Sequence, residues 1–466
     1  MKGGRYCMNR VLSLLILLTC FFTVFAVKIA GIVTDGENHP IVAQVRFLNP
    51  ENGILLTDYT NWFGRFQQEL PAGKYTIEVC KGPEYEIKRI SIELSHDTEE
   101  IHINLKRLYN LESMGWFSGD AHLHTIYSDG KQDVETVAKA CVACGLSWAI
   151  LTDHNTIKGG IEWTAASKYG LLPILGEEVT TPLGHFNALG ISEIVNWKVN
   201  EKQDIGRIFA DISKQSAIAQ INHPFDMKDY FVDWDIKGYD VIEIWNGGSA
   251  PNLNGMGNYE AKMYWFKILN TGTQIHATAN SDCHDVYSNY SMLAFLPVDK
   301  VLSAIEKEFS EPTMKNYVME NESAMRNWVK YGLYPGTPRT YVKATKLTPF
   351  AVLKALARGN SFMTNGPLLL IEIDGKGPGE MVSALNKESL NLDIKVFSNT
   401  PLEKITVIQG GEIVQEIDVN GQRECILSKE INPDNGSWIV VEAYGPYPVY
   451  AISNPIYLSN SYQTTR

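Results

Sequence analysis

The sequence predicts an α/β fold in which repeated β/α units form a barrel around a parallel sheet, flanked by an N-terminal and a C-terminal β-sandwich. Three observations predict it. The middle of the 466-residue chain alternates apolar strand-like runs with amphipathic helix-like stretches; both ends show only short alternating strands; and six of the ten histidines sit at predicted strand ends or in a hairpin loop of the middle region.

Residues 1–26 read as a secretory signal. Lys2, Arg5 and Arg10 precede an uncharged apolar run over residues 11–25, and Val24-Phe25-Ala26 offers a small residue for cleavage. The run is shorter than the roughly 20 residues a spanning helix needs, so no transmembrane segment is expected in the mature chain. A secreted, periplasmic or cell-surface location is expected instead. Leu18-Thr19-Cys20 approaches a lipoprotein box, but Thr19 stands where such a box takes a small residue.

Residues 27–110 carry strands near 29–33, 43–47, 75–79 and 101–105, which together predict a small β-sandwich. The run Leu70-Pro71-Ala72-Gly73-Lys74-Tyr75, with Asp58 to Gly64 before it, resembles the carboxypeptidase-regulatory-like or transthyretin-like domain. That resemblance implies a structural or docking module. Residues 111–366 form the predicted barrel, with strands near 117–121, 148–152, 172–179, 217–221, 241–245 and 274–279. Helical spacing over 134–144, 203–215 and 259–270 supplies its outer layer. Residues 367–466 return to alternating strands, near 368–373, 390–396, 405–409 and 438–443, and predict the second sandwich. Residues 306–346 show no clear period.

The formal charge of −12 becomes three units more negative once the signal is removed. Such a balance argues against extended nucleic-acid binding, which rests on clustered cations. Five of the seven cysteines lie beyond residue 26, an odd number at scattered spacing, and predict no disulfide framework. Cys141 and Cys144 fall inside a helical pattern and read as buried thiols.

The chemistry gathers at the strand ends. Asp120-Ala121-His122-Leu123-His124 follows the first barrel strand, so extended-chain alternation puts both imidazoles on one side. Ser128-Asp129-Gly130 adds a carboxylate on a tight turn. The later strands end in Thr152-Asp153-His154-Asn155, Gly176-Glu177-Glu178, Asn222-His223-Pro224 and Ser281-Asp282-Cys283-His284, and a hairpin carries Gly184-His185. A barrel opens such ends on one face, where enzymes of this architecture place their catalytic groups. His39, His96, His102 and His276 lie elsewhere and read as structural.

In this order the motifs resemble the PHP superfamily, named for polymerase and histidinol phosphatase, and within it the branch similar to carbaryl hydrolase, the CehA/McbA-like metallohydrolases. The resemblance covers about 250 residues and implies a distorted, TIM-like barrel of seven β/α units. It implies that His122, His124, Glu178 and Asp282 hold one metal, with Glu178 bridging to a second held by His185 and His223. It further implies that Asp129, His154 and His284 hold a third, although Asp129 stands where some relatives carry histidine. Asp282, Glu178 and His223 are the implied catalytic groups, and the Gly-x-Glu spacing selects Glu178 over Glu177. Asp120 and Asp153 read as partners that orient neighbouring histidines, with plain capping as the alternative.

Two or three divalent ions of Mn, Fe or Zn suit mixed imidazole and carboxylate ligands. Asn187, Asn246 and Lys158 are candidate substrate contacts, with Asn222, Trp245 and Asn365 as further pocket residues. Cys283, between two candidate ligands, reads as a packed neighbour rather than a nucleophile. The expected function is a metal-dependent phosphoesterase acting on a small phosphorylated substrate through an activated water. The alternatives are hydrolysis of a carboxylic ester, amide or carbamate at the same centre, and a non-catalytic cell-surface binding protein.

Overall fold

Seven short strands open the chain: β1 (Ala26–Thr34), β2 (Gln44–Leu48), β3 (Ile54–Tyr59), β4 (Arg65–Pro71), β5 (Gly73–Cys80), β6 (Lys88–Leu94) and β7 (Ile101–Asn104). The computed structural model describes residues 26–50, 53–97, 100–226, 231–250, 252–255, 257–287 and 332–459. The predicted signal therefore lies outside the described residues, apart from Ala26, and so does most of the 306–346 segment. No described helix is long and apolar enough to cross a membrane.

Alternating burial along β1 turns Val27, Ile29 and Val33 inward. The sheets β4-β1-β7 and β3-β2-β5-β6 share the resulting core, which also holds Phe47, Phe66, Ile77 and Leu105. Val42, Leu48, Ile54 and Tyr59 turn away from it and pack with Val137, Ala138 and Cys141 of the helix Val134–Ala143. Lys81 reinforces this junction by donating from Nζ to the carbonyls of Val42 and Val142, and burial there pushes its pKa down to about 8.

The next seven strands are β8 (Trp116–Asp120), β9 (Trp148–Leu151), β10 (Leu172–Thr181), β11 (Gly184–Leu189), β12 (Ile218–Ile221), β13 (Val241–Asn246) and β14 (His276–Asn280). They lie side by side in chain order. All run parallel except β11, which hairpins back from β10 and pairs antiparallel with β12. The first and last strands meet beyond their C-terminal ends: Asp282 N donates to the His122 carbonyl at 3.0 Å and His124 N to that of Cys283 at 3.2 Å. Gly119 permits the fit of β8 on β9, because a Cβ there would lie 1.9 Å from the Trp148 ring.

The C-terminal strands are not set apart from this sheet. β15 (Arg339–Lys343) pairs with β8 and with β16 (Ser361–Thr364), and β16 pairs with the strand Tyr450–Ser453. One continuous 15-stranded sheet therefore runs from β14 into the last hundred residues. A separate three-stranded sheet of Leu368–Ile373, Leu390–Phe397 and Glu424–Ile431 faces it across a core that includes Leu369, Val396, Ile405 and Val441. Trp265 and Phe266 of the helix Asn258–Asn270 pack with Trp438 and Val440 in a further shared core. The Lys262–Glu442 ion pair, 3.1 Å long and buried, lies across the same boundary.

Candidate metal centre

Strand alternation accounts for the first pair of imidazoles. Leu123 bridges Cys283 and turns into an apolar cluster with Val134 and Val286, so His122 and His124 on either side turn the opposite way, with ring centroids 5.2 Å apart. Cys283 is 1% exposed, and burial holds its thiol well above the ordinary range, which fits a packed neighbour.

Glu178 forms the middle of the cluster. Its Oε2 lies 3.2 Å from His122 Nε2, 3.3 Å from His124 Nε2 and 2.9 Å from His154 Nδ1. Its Oε1 lies 3.1 Å from His185 Nδ1, 3.3 Å from His223 Nε2 and 3.0 Å from Asn222 Nδ2. Glu177, its neighbour on β10, points away and accepts from Val195 N at 2.8 Å. Asp282 closes the other side, with Oδ1 at 3.2 Å from His122 Nε2 and 3.0 Å from His124 Nε2.

Asp129 lies at the rim, with Oδ1 3.2 Å from His284 Nε2 and 3.5 Å from His154 Nε2. Its turn is held by Asp153, which accepts from Thr125 N, Thr125 Oγ1 and Ser128 Oγ, each at 2.7 Å. Gly130 is required in that turn, since a Cβ would fall 2.6 Å from the His124 carbonyl carbon. Asp120 lies behind the cluster, accepting from His122 N, Ser281 N and Gly336 N.

Among the described residues, three sets of ligand-type atoms each gather within 4.8 Å of one another: His122, His124, Glu178 and Asp282; His124, Asp129, His154 and His284; and His154, Glu178 and His185. The first is the set implied for one metal. His154 belongs to two sets rather than only to the outer one, and His223 approaches Glu178 without joining the compact group around His185.

The expected substrate contacts divide. Asn246 donates to Asp282 Oδ2 at 3.2 Å, and Asn187 is fully buried and donates to the Ala121 carbonyl at 2.9 Å. Lys158 is exposed beyond the cluster, and Asn365 bonds Pro448 and Tyr450 in the C-terminal region. Glu243, below His122 and fully buried, was not singled out by the sequence. A lone carboxylate inside Val241-Ile242-Glu243-Ile244-Trp245 carries no motif; its burial pattern on an apolar strand is the signal that could have found it.

Burial alone would lift Glu178 and Asp282. The facing imidazoles, His122 foremost, outweigh it and hold both carboxyls well below their ordinary values. Burial would likewise lower the histidines. The carboxylates reverse this, holding His122 well above its usual value, His154 up at about 10, His223 at about 9 and His284 at about 8. His124 goes the other way, to about 4, through burial and the nearby His284 charge.

Residues 120–231 match the PHP domain. The match runs from Asp120, the last residue of β8, through β12 and past His223. Over 150 residues the chain is 26% identical to an uncharacterized protein of Methanocaldococcus jannaschii, covering 28% of this chain and 85% of that protein. Among solved structures, a Bacteroides vulgatus two-domain protein containing a predicted PHP-like metal-dependent phosphoesterase is 17% identical with a TM-score of 0.39, covering 70% of this chain and 90% of that one. A proposed metal-dependent phosphoesterase of Bifidobacterium adolescentis is 15% identical with a TM-score of 0.28, covering 36% and 87%. An amidohydrolase of Chromobacterium violaceum with bound sulfate and no metal is 16% identical with a TM-score of 0.25, again covering 36% and 87%.

Proposed function

We propose that the chain is a metal-dependent hydrolase, a phosphoesterase acting on a small phosphorylated substrate outside the cytoplasm, with residues 1–26 as its export signal. The observation that carries the reading is a set of buried atoms left without hydrogen-bond partners among the described residues. His122 Nε2 and Glu178 Oε2 approach to 3.2 Å with no hydrogen bond between them, and His124 Nδ1 and His223 Nδ1 are likewise unpartnered. Buried polar atoms are normally satisfied, so donor atoms crowded in this way fit cations as their common partner.

In this reading His122, His124, Glu178 and Asp282 hold one ion, Glu178 with His185, His223 and His154 a second, and Asp129, His154 and His284 an outer one. Zn, Mn or Fe suits the mixed imidazole and carboxylate set. Bound there, such ions neutralise charge on a phosphoryl oxygen and bring the pKa of water toward neutrality. The chain's own contribution is to fix the ligands. The φ of 24° at His223 and of 55° at Asp282 are backbone conformations that the surrounding hydrogen bonds must hold. Asn246 and Asn222 restrain the two carboxylates from either side.

The test is a paired assay of p-nitrophenyl phosphate and p-nitrophenyl acetate with the full chain supplied in turn with Mn, Fe and Zn. Metal-dependent turnover of the phosphate is expected. Turnover of the acetate alone would move the assignment to carboxylic ester, amide or carbamate hydrolysis. Turnover of neither, with metal bound, would favour a binding protein.

A further inference from the structure

Among the described residues Glu243 has four hydrogen-bonding partners, three of them N–H donors of fixed direction and the fourth the His122 ring. Its Oε1 takes His122 Nδ1 at 3.1 Å and Asn280 Nδ2 at 2.9 Å. Its Oε2 takes the backbone N of His223 at 3.0 Å and Asn246 Nδ2 at 2.9 Å. The amide orientations are set independently, because Asn280 Oδ1 accepts from Ala121 N and Asn246 Oδ1 accepts from Ser249 N. Both NH₂ groups must therefore turn toward Glu243. Only a carboxylate offers acceptors on both oxygens and donors on neither.

We infer that Glu243 is a positioning residue for the proposed centre: by accepting the His122 Nδ1 proton it leaves Nε2 to face Glu178 and Asp282, and by holding the His223 backbone and Asn246 it fixes two more groups of the same cluster. This rests on the metal-hydrolase reading for its purpose, but not for its geometry. A ligating histidine whose other nitrogen donates to a carboxylate has a fixed tautomer and ring plane, and losing such a partner costs about 10–100-fold in metal affinity. Here a single side chain restrains groups from three strand ends, β8, β12 and β14, since Asn246 also reaches Asp282 Oδ2 at 3.2 Å.

Glu243→Gln is nearly isosteric but turns an NH₂ group toward one pair of donors. If it faces His122, the ring must accept at Nδ1 and carry its proton on Nε2, occupying the lone pair that faces the cluster. If it faces His223, it opposes a backbone N–H at a residue whose φ is 24°. Glu177→Gln is the control, a buried carboxylate on β10 with one backbone donor and no contact with the cluster.

Two measurements decide the matter. Chelator competition with zinc and manganese should show apparent affinity falling about 10–100-fold in Glu243→Gln at unchanged circular dichroism, and staying within about twofold in Glu177→Gln. In metal-stripped, ¹⁵N-histidine-labelled wild type, assigned with His122→Gln, a His122 Nδ1–H proton protected from exchange is expected. A folded Glu243→Gln with wild-type metal affinity would overturn the inference, and so would a wild-type His122 with no proton on Nδ1. The second reading needs no Glu243 variant, so a Glu243→Gln chain that does not fold leaves the outcome decidable. Failure of wild type to bind any metal would remove the hydrolase reading alone, and the Nδ1–H signal would still decide what Glu243 holds.

Discussion

At the start of β14, His276 donates from Nδ1 to the Ala357 carbonyl, 2.9 Å away, and burial pushes its pKa down to about 4. Beyond the other end of the same sheet, His122 and His223 are as deeply buried and titrate in the opposite direction. The difference is the carboxylates. Glu178, Asp282 and Glu243 face the second pair, whereas the Ala357 carbonyl and the Tyr457 ring face His276. Burial by itself makes an imidazole neutral; burial beside several carboxylates makes it bind a proton, and a cation can take the place of that proton.

The sharpest way to break this comparison is to remove one carboxylate. Asp282→Asn should lower both bound metal and turnover by on the order of 10³-fold, more than loss of an outer partner, while His276→Gln changes both by less than about twofold. Metal content by mass spectrometry and initial rates read the contrast, and equal losses in the two variants would remove the distinction between the two ends.

Protons provide the next largest effect. The raised pKa values of His284, His223 and His154, about 8, 9 and 10, mean that a cation must displace protons at neutral pH. Metal affinity should therefore rise with pH between about 6.5 and 9, by about tenfold per unit for each proton displaced, with proton release measurable by calorimetry in buffers of different ionisation enthalpy. In the stripped chain the sign reverses. Groups whose folded pKa is raised stabilise below the unfolded value near 6.5 and lose that contribution as pH climbs through the folded one. The melting temperature of the stripped chain should fall from pH 6.5 to 9, and added metal should abolish the fall.

The smallest effect concerns neighbouring carboxylates on β10. Burial lifts Glu177 to about 7, while the imidazoles hold Glu178 well below its ordinary value. A raised carboxyl pKa destabilises the fold above the unfolded value, so Glu177→Gln should melt at the wild-type temperature or about 2–4 °C above it at pH 8. That gap should close below about pH 4. Glu178→Gln should instead lose metal.

The motifs were legible because their residue types are rare and their position is fixed by alternation. His122 and His124, two apart on an extended segment, had to share a side, and the turn Ser128-Asp129-Gly130 offered a further carboxylate close in the chain. Most strand bounds followed from apolar runs; the 241–245 reading, for instance, differs from β13 by one residue. Two things were not legible. Which oxygen of Glu178 meets which ring depends on three-dimensional packing, so the sharing of His154 between two ligand sets carries no sequence mark. The short strands β15 and β16, five and four residues long, give too few alternations to register, and with them the link from barrel to C-terminal strands was missed.

That link has a practical consequence for anyone dividing the chain. Ending a recombinant fragment after Gly366 would strip β16 of the backbone partners it now finds at Ala451, Ile452 and Ser453, leaving an open edge of the kind that recruits other chains. Trp265 and Phe266 would lose their covering of Trp438 and Val440 in the same cut. The last hundred residues are thus an outer wall of the proposed enzyme, and expressing the central region without them should yield aggregates in place of a smaller working hydrolase.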